Sequence, residues 1–245
     1  MNTRRQILGG TGALGAAALV GGGSSLAAAP AGGTVLPPAP PASELTPAQA
    51  LDLLREGNAS FLRGEQPSGI SNAQRRLDLA RGQAPFAAYV TCSDSRVPPE
   101  LLFGRGLGEL FIIRNAGNTV DTVALGSIEY AVAVLETPLV VVMGHQSCGA
   151  VAAAAKVVTE NATFPGSIGR MVEPIIPAVL QARSEEGDLV DNSVRANVRR
   201  VVRQLREQTD PIMLDPQRDG RLWVVGAYYK LDTGEVDFFD LPSAS

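Results

Sequence analysis

The strongest constraint on the fold is a pattern of apolar runs and spacers. Residues 85–90, 109–113, 138–143 and 222–229 are short, nearly uninterrupted apolar stretches, and helix-length segments lie between them. A strand with one wet face alternates apolar and polar residues, whereas a continuous apolar run is covered on both faces, as in a parallel sheet packed between helices. The pattern therefore predicts an α/β fold with a central, mostly parallel sheet of about four parallel strands. Helices at 121–135, 149–158, 168–182 and 193–208 are expected to cover it. The last stretch, 235–241, follows a tight Asp232-Thr233-Gly234 turn and is read as an antiparallel edge strand. An N-terminal helical arm should precede the sheet. Thr46-Pro47-Ala48-Gln49 has the form of a capping box with proline at the first helical position, and Leu51, Leu54, Phe61 and Leu62 then supply an apolar stripe. A second, arginine-rich amphipathic stretch covers 72–81.

The domain itself is expected at 44–245, about 200 residues and enough to bury a core. Residues 1–29 read differently. Thr3-Arg4-Arg5-Gln6-Ile7-Leu8 leads into an uncharged Gly/Ala/Leu stretch that looks like a twin-arginine export signal. Gly9, Gly10, Gly12, Gly15 and Gly21 to Gly23 interrupt it, so a spanning helix of ~20 apolar residues is the poorer reading and no stable membrane anchor is expected. Residues 30–43, with five prolines, read as a linker. The expected location is periplasmic or otherwise exported, reached through the twin-arginine translocase after folding. With 21 Lys and Arg against 25 Asp and Glu, a net charge of −4, the cationic surplus of a nucleic-acid binder is missing, and no nucleic-acid partner is expected.

Thiol and imidazole chemistry must pass through three residues, because the chain has only Cys92, Cys148 and His145. That count excludes a disulfide framework, a four-ligand zinc finger, a three-histidine zinc site and a bis-histidine haem. Two apolar runs end directly in these residues: one passes into Thr91-Cys92-Ser93-Asp94-Ser95-Arg96, the other into Gly144-His145-Gln146-Ser147-Cys148-Gly149. The carboxyl edge of a parallel sheet is where loops diverge and ligands bind. If the two strands lie side by side, all three residues converge there. Two thiolates and an imidazole suit Zn²⁺, and three protein ligands leave the fourth position of a catalytic zinc open for water. The competing reading is a Cys92–Cys148 disulfide beside an ordinary buried histidine. Asp94 and Arg96 offer a carboxylate that an arginine can hold ionised and oriented, able to accept a hydrogen bond from a metal-bound water. The bland alternative makes Asp94 a structural, arginine-paired cap for a helix at Pro98-Pro99. Arg195, Arg199, Arg200, Arg203 and Arg206 read as a solvated helix face paired with nearby acids.

The two motifs, with Gly108-Glu109-Leu110-Phe111-Ile112-Ile113-Arg114-Asn115-Ala116-Gly117-Asn118 between them, resemble the β-class carbonic anhydrases from about Thr46 to the final strand. The resemblance implies one Zn²⁺ per chain on Cys92, His145 and Cys148, with Asp94 and Arg96 as the catalytic dyad. It implies reversible hydration of carbon dioxide to bicarbonate and a proton by zinc-bound hydroxide. It also implies a homodimer or dimer of dimers, the N-terminal helix reaching onto its partner, with Gln83, Phe111 and Tyr130 lining the substrate pocket across the interface. Some members bind bicarbonate in a separate pocket of tryptophan, arginine and tyrosine; Arg114 matches the arginine, but Tyr89 stands in the tryptophan's place, which argues against that regulation. Gly149, at a helix start, has a backbone N–H expected to hold a bicarbonate oxygen. Two thiolates cancel the charge of Zn²⁺, so its water is acidified less than at a three-histidine site, where the pKa is ~7, and hydration should strengthen at alkaline pH. Two alternatives stand beside this: a related zinc hydrolase on the same fold, acting on carbon disulfide or a similar heteroallene, and a non-enzymatic zinc-binding or disulfide-stapled protein.

Overall fold

The computed structural model describes residues 43–65 and 71–242. The export signal expected at 1–29, and the linker at 30–43 apart from Ser43, lie outside them. The chain enters through helix α1 (Pro47–Leu62) and a short helix α2 (Ala73–Leu79). Strand β1 (Ala87–Cys92), the single turn α3 (Pro99–Leu102) and strand β2 (Leu110–Asn115) follow. Helix α4 (Thr122–Ala133) leads to strand β3 (Leu139–His145) and helix α5 (Gly149–Glu160). Helices α6 (Ser167–Val172), α7 (Ile176–Ala182), α8 (Leu189–Arg206) and α9 (Pro211–Arg218) come next, before strands β4 (Trp223–Tyr229) and β5 (Val236–Phe239).

The sheet has the order β2-β1-β3-β4-β5, parallel throughout except for the antiparallel β4–β5 pair. This is the predicted architecture. The two central strands, β1 and β3, are buried at every residue, which is why their sequences carry no polar alternation. Side chains leave the sheet in two layers. On one face Tyr89, Val141, Met143 and Val225 pack with Leu51 and Leu54 of α1, Val151 of α5 and Val179 of α7. On the other, Ala88, Val90, Val140, Val142 and Val224 meet Ile128 of α4, Val198, Val202 and Leu205 of α8 and Met213 of α9.

Local rules explain both agreements and departures. The capping box forms in full: the Gln49 N–H donates to Thr46 Oγ1 (3.3 Å) and the Thr46 N–H to Gln49 Oε1 (2.9 Å). The helix expected at 168–182 is instead two, α6 and α7, joined by a 3-10 turn at Glu173–Ile175. Pro174 and Pro177 each lack the N–H that a continuous helix would use. Helix α8 starts at Leu189, ahead of the expected 193, because Asp188 accepts the Asp191 N–H (2.8 Å) and supplies the cap. Helix α9 was not expected; Pro216 inside it obscures its periodicity. Helix α2 buries none of its residues within the chain, and Leu77 lies open on it.

Candidate metal and acid–base site

Strands β1 and β3 lie side by side with Thr91 opposite Met143, so Cys92 and His145 arrive at the same sheet edge. The Thr91 hydroxyl donates to the Met143 carbonyl (3.1 Å) and pins that register. Glycine at 144 lets α8 approach: a Cβ there would come 2.5 Å from Val194 Cγ1 and 2.9 Å from Val198 Cγ2. The chain then turns through Ser147, at φ +54°, and Cys148 becomes the residue that starts α5. The result is a buried cluster of Cys92, His145 and Cys148 whose ligand atoms all lie within 4.8 Å of one another. The two sulfurs are 3.9 Å apart and unbonded, well beyond the ~2.05 Å of a disulfide.

The donor set fits a tetrahedral metal. Two thiolates bound to one zinc at about 2.3 Å each place their sulfurs about 3.8 Å apart at the tetrahedral angle, and the observed 3.9 Å matches. His145 Nδ1 faces the Gln146 carbonyl at 2.9 Å, so Nδ1 carries the proton and Nε2 the free lone pair. That Nε2 is buried without a hydrogen-bond partner, which leaves its lone pair suited to a metal ion. The first thiol proton leaves easily: Cys148, beside Cys92, steadies the Cys92 thiolate and pulls its pKa down, while the same contact and burial push Cys148 up. A cation held between the sulfurs would take the place of the thiol proton.

Asp94 stands next to this cluster, its Oδ2 3.9 Å from His145 Nε2. Arg96 grips it from three donors: Nε to Oδ1 (2.9 Å), Nη2 to Oδ2 (2.8 Å) and the backbone N–H to Oδ1 (3.0 Å). That hydrogen bonding holds the carboxyl well below the usual carboxylate range. Asp94 does not cap α3, whose cap residue, Pro98, has no side-chain hydrogen bond. Arg114 is committed to the backbone of the same loop, Nε to the Cys92 carbonyl (2.9 Å) and Nη2 to the Asp94 carbonyl (2.6 Å). Tyr89 is fully buried with its hydroxyl on Met143 Sδ (3.2 Å), so Arg114 and Tyr89 do not line an open pocket together. Gly149 opens α5 on the exposed side, with open space where a side chain would stand.

The expected pocket residues lie elsewhere in the chain. Gln83 precedes β1, a strand roughly 16 Å long whose far end carries Cys92. Phe111 is opposite Ala88, about 13 Å back along the strand from the level of Cys92, and faces the other side of the sheet. It stacks with the half-exposed Tyr130, ring centroids 6.1 Å apart. The arginine stripe on α8 is paired only at its ends, Arg195 with Asp237 (2.9 Å) and Arg206 with Asp240 (2.7 Å); among the described residues Arg199, Arg200 and Arg203 have no acidic partner, contrary to the expectation for the whole stripe. Sequence reasoning missed three supports of the site: Arg114 as a backbone clamp, Gly117, whose N–H reaches Cys92 Sγ (3.4 Å), and the Gln146 side chain. Gln146 Oε1 accepts the N–H groups of Leu231 (2.9 Å) and Asp232 (3.3 Å), tying the ligand loop to the β4–β5 turn. Their partners are distant in sequence, main-chain atoms for Arg114 and Gln146 and the Cys92 sulfur for Gly117, which no local pattern records.

Comparison with known proteins agrees with this geometry. Residues 87–236 match the family model described as "Carbonic anhydrase". The chain is 40% identical over 191 residues to carbonic anhydrase 2 of Mycobacterium tuberculosis, covering 78% of this chain and 91% of that protein. A β-carbonic anhydrase of Aspergillus fumigatus, CafA, superposes with a TM-score of 0.62 at 26% identity, over 79% of this chain and 90% of the other. One of two tetrameric β-carbonic anhydrases from Sordaria macrospora superposes with a TM-score of 0.63 at 24% identity, over 80% and 97% of the two chains.

Proposed function

The chain belongs to the β class of the carbonic anhydrase family and is a carbonic anhydrase; on that premise we propose that its metal is zinc, held by Cys92, His145 and Cys148, with Asp94 and Arg96 directing the reaction. The observation that carries this reading is the unpartnered, buried Nε2 of His145 beside two sulfurs 3.9 Å apart. When bound, zinc supplies the Lewis acidity that makes a water nucleophilic in the neutral to alkaline range.

The protein's own residues do the rest. Asp94 Oδ2, the carboxylate oxygen nearest the cluster, accepts a hydrogen bond from the attacking water and aims its lone pair at carbon dioxide. Arg96 keeps the carboxylate charged and prevents it from rotating, because its fork occupies both oxygens. The Gly149 N–H, at the start of α5, holds an oxygen of the forming bicarbonate. His145 is the chain's one imidazole and serves as a ligand, so the released proton passes to solvent or buffer.

The working form is a dimer or dimer of dimers in which a second copy supplies Gln83, Phe111 and Tyr130 to the pocket. Their distance from their own chain's cluster and the exposed Val123 and Tyr130 on α4 support this. Arg4 and Arg5 direct export of the folded protein by the twin-arginine route. Retention in the cytoplasm when both become lysine is the expected outcome of cell fractionation, and unchanged export would count against the route. For the chemistry, stopped-flow hydration of carbon dioxide by the zinc-loaded protein tests the reading, with carbon disulfide as a competing substrate. Fast hydration with little carbon disulfide turnover is expected; the reverse preference would overturn it.

A further inference from the structure

Asn197 is a polar residue on the buried face of α8, flanked by Ala196 and Val198 and itself 1% exposed. Its Nδ2 donates to the carbonyl of Gly117 over 2.9 Å. On the other side of the same residue, the Gly117 N–H points at Cys92 Sγ over 3.4 Å. The loop has little freedom in space: Gly117 sits at φ +78°, and a Cβ there would come 2.5 Å from Ile175 Cδ1 and 3.2 Å from Ala150 Cβ. Asn115 braces its ends, Oδ1 accepting the Thr119 N–H (3.0 Å) and Nδ2 donating to the Thr119 carbonyl (2.6 Å), and leaves the Gly117 carbonyl to Asn197. The arrangement is costly, since Asn197 Oδ1 and the neighbouring Asn118 Nδ2 are both buried without partners. An apolar residue at 197 would avoid its share of that cost, and the bond to Gly117 is what the asparagine supplies in return.

We propose that Asn197 is a positioning residue for the metal centre, fixing the Gly117 carbonyl from α8 so that, across the same Cα, the Gly117 N–H stays aimed at the Cys92 sulfur. The inference rests on the metal reading above. An N–H bonded to a thiolate withdraws charge from the sulfur and makes it a weaker, less basic donor to the ion it holds. The second sulfur needs no such device. Cys148 faces the N–H groups of Ala150 and Val151, which α5 already holds in place. Gly117 lies on a loop between β2 and α4, and among the described residues the Asn197 side chain is the one that hydrogen-bonds its carbonyl. Asn197 thus acts on the ligand through a backbone amide, without touching substrate or metal.

The test uses the full chain loaded with Co²⁺ in place of zinc, reading the sulfur-to-cobalt charge-transfer absorption, together with the rate of zinc loss to a chelator. Asn197→Leu removes the donor at similar shape; the band is expected to move to longer wavelength, as a more electron-rich sulfur requires, and zinc loss to quicken several-fold below neutral pH, because the more basic sulfur is protonated more readily. Asn197→Ser, which is too short to reach the Gly117 carbonyl, should shift the band the same way if the leucine variant fails to fold. Asn58→Leu is the control: it removes an equally buried asparagine that ties α1 to the Gly234 carbonyl (2.9 Å), and should lower the melting temperature with the band unmoved. An unmoved band in the Asn197 variants, or an equal shift in Asn58→Leu, overturns the inference. Absence of a charge-transfer band in the wild-type protein overturns the metal reading instead.

Discussion

At the scale of single residues, the chemistry depends on a carboxylate that must be both charged and aimed. Asp94→Asn keeps the shape and the neighbouring ligands but loses the charge that Arg96 orients. Carbon dioxide hydration should fall by about 100-fold or more with zinc still bound, as judged by stopped-flow rates and metal content on the same sample; near wild-type turnover would remove Asp94 from the mechanism. The pH dependence follows from the direction of its shift. A carboxyl depressed by Arg96 contributes stability above the ordinary carboxylate range and loses it only as pH falls through the lower folded value. Between about pH 6 and 9 Asp94 is therefore fully charged, so a rise in hydration toward alkaline pH, as proposed, would belong to the metal centre. Melting temperature followed into acid should decline for the wild type below about pH 4, with the Asp94 contribution missing from Asp94→Asn. Cys92, His145 and Cys148 were legible because they are scarce and sit where apolar runs stop. Asn197 was not, because its bond is to a carbonyl 80 residues away and its helix reads as an arginine stripe.

Among elements, the contact that matters most for the site is α8 against β3. Gly144 allows it, with Val194 and Val198 occupying the space a side chain would need. Gly144→Ala should force the helix off the strand that delivers His145 and destabilise the fold by about 1–3 kcal/mol, measurable by denaturant unfolding; an unchanged midpoint would mean the packing yields freely. The strands were the readable part of this level, since burial on both faces leaves a continuous apolar signature. Helices were harder wherever proline intervened. Pro174 and Pro177 sit in an apolar stretch that reads as one helix until the missing donors are counted, and Pro216 masks α9. The early start of α8 at the Asp188 cap was missed for a different reason: the apolar periodicity begins later than the helix does.

For the whole molecule, the single chain holds the metal cluster and the dyad complete, yet Gln83, Phe111 and Tyr130 stand on other parts of its surface or core. In the proposed assembly a second copy would complete the pocket, with α4 and the edge strand β2 facing the partner. Tyr130→Asp places a charge on that half-exposed face. The expected outcome is a smaller particle by light scattering and loss of hydration activity together; a smaller particle with full activity would show that the pocket is complete within one chain. The parallel sheet and its edge could be read from sequence, but this surface could not, because exposed apolar residues such as Val123 look ordinary until the fold shows them on one helix with Tyr130. The central claim is that two cysteines and one histidine form one complete metal site. Titrating zinc into the metal-free protein while following carbon dioxide hydration by stopped flow tests it most directly. The rate should climb linearly and stop at one zinc per chain; full activity without zinc, or a rate that keeps climbing beyond one ion per chain, would contradict a single complete site.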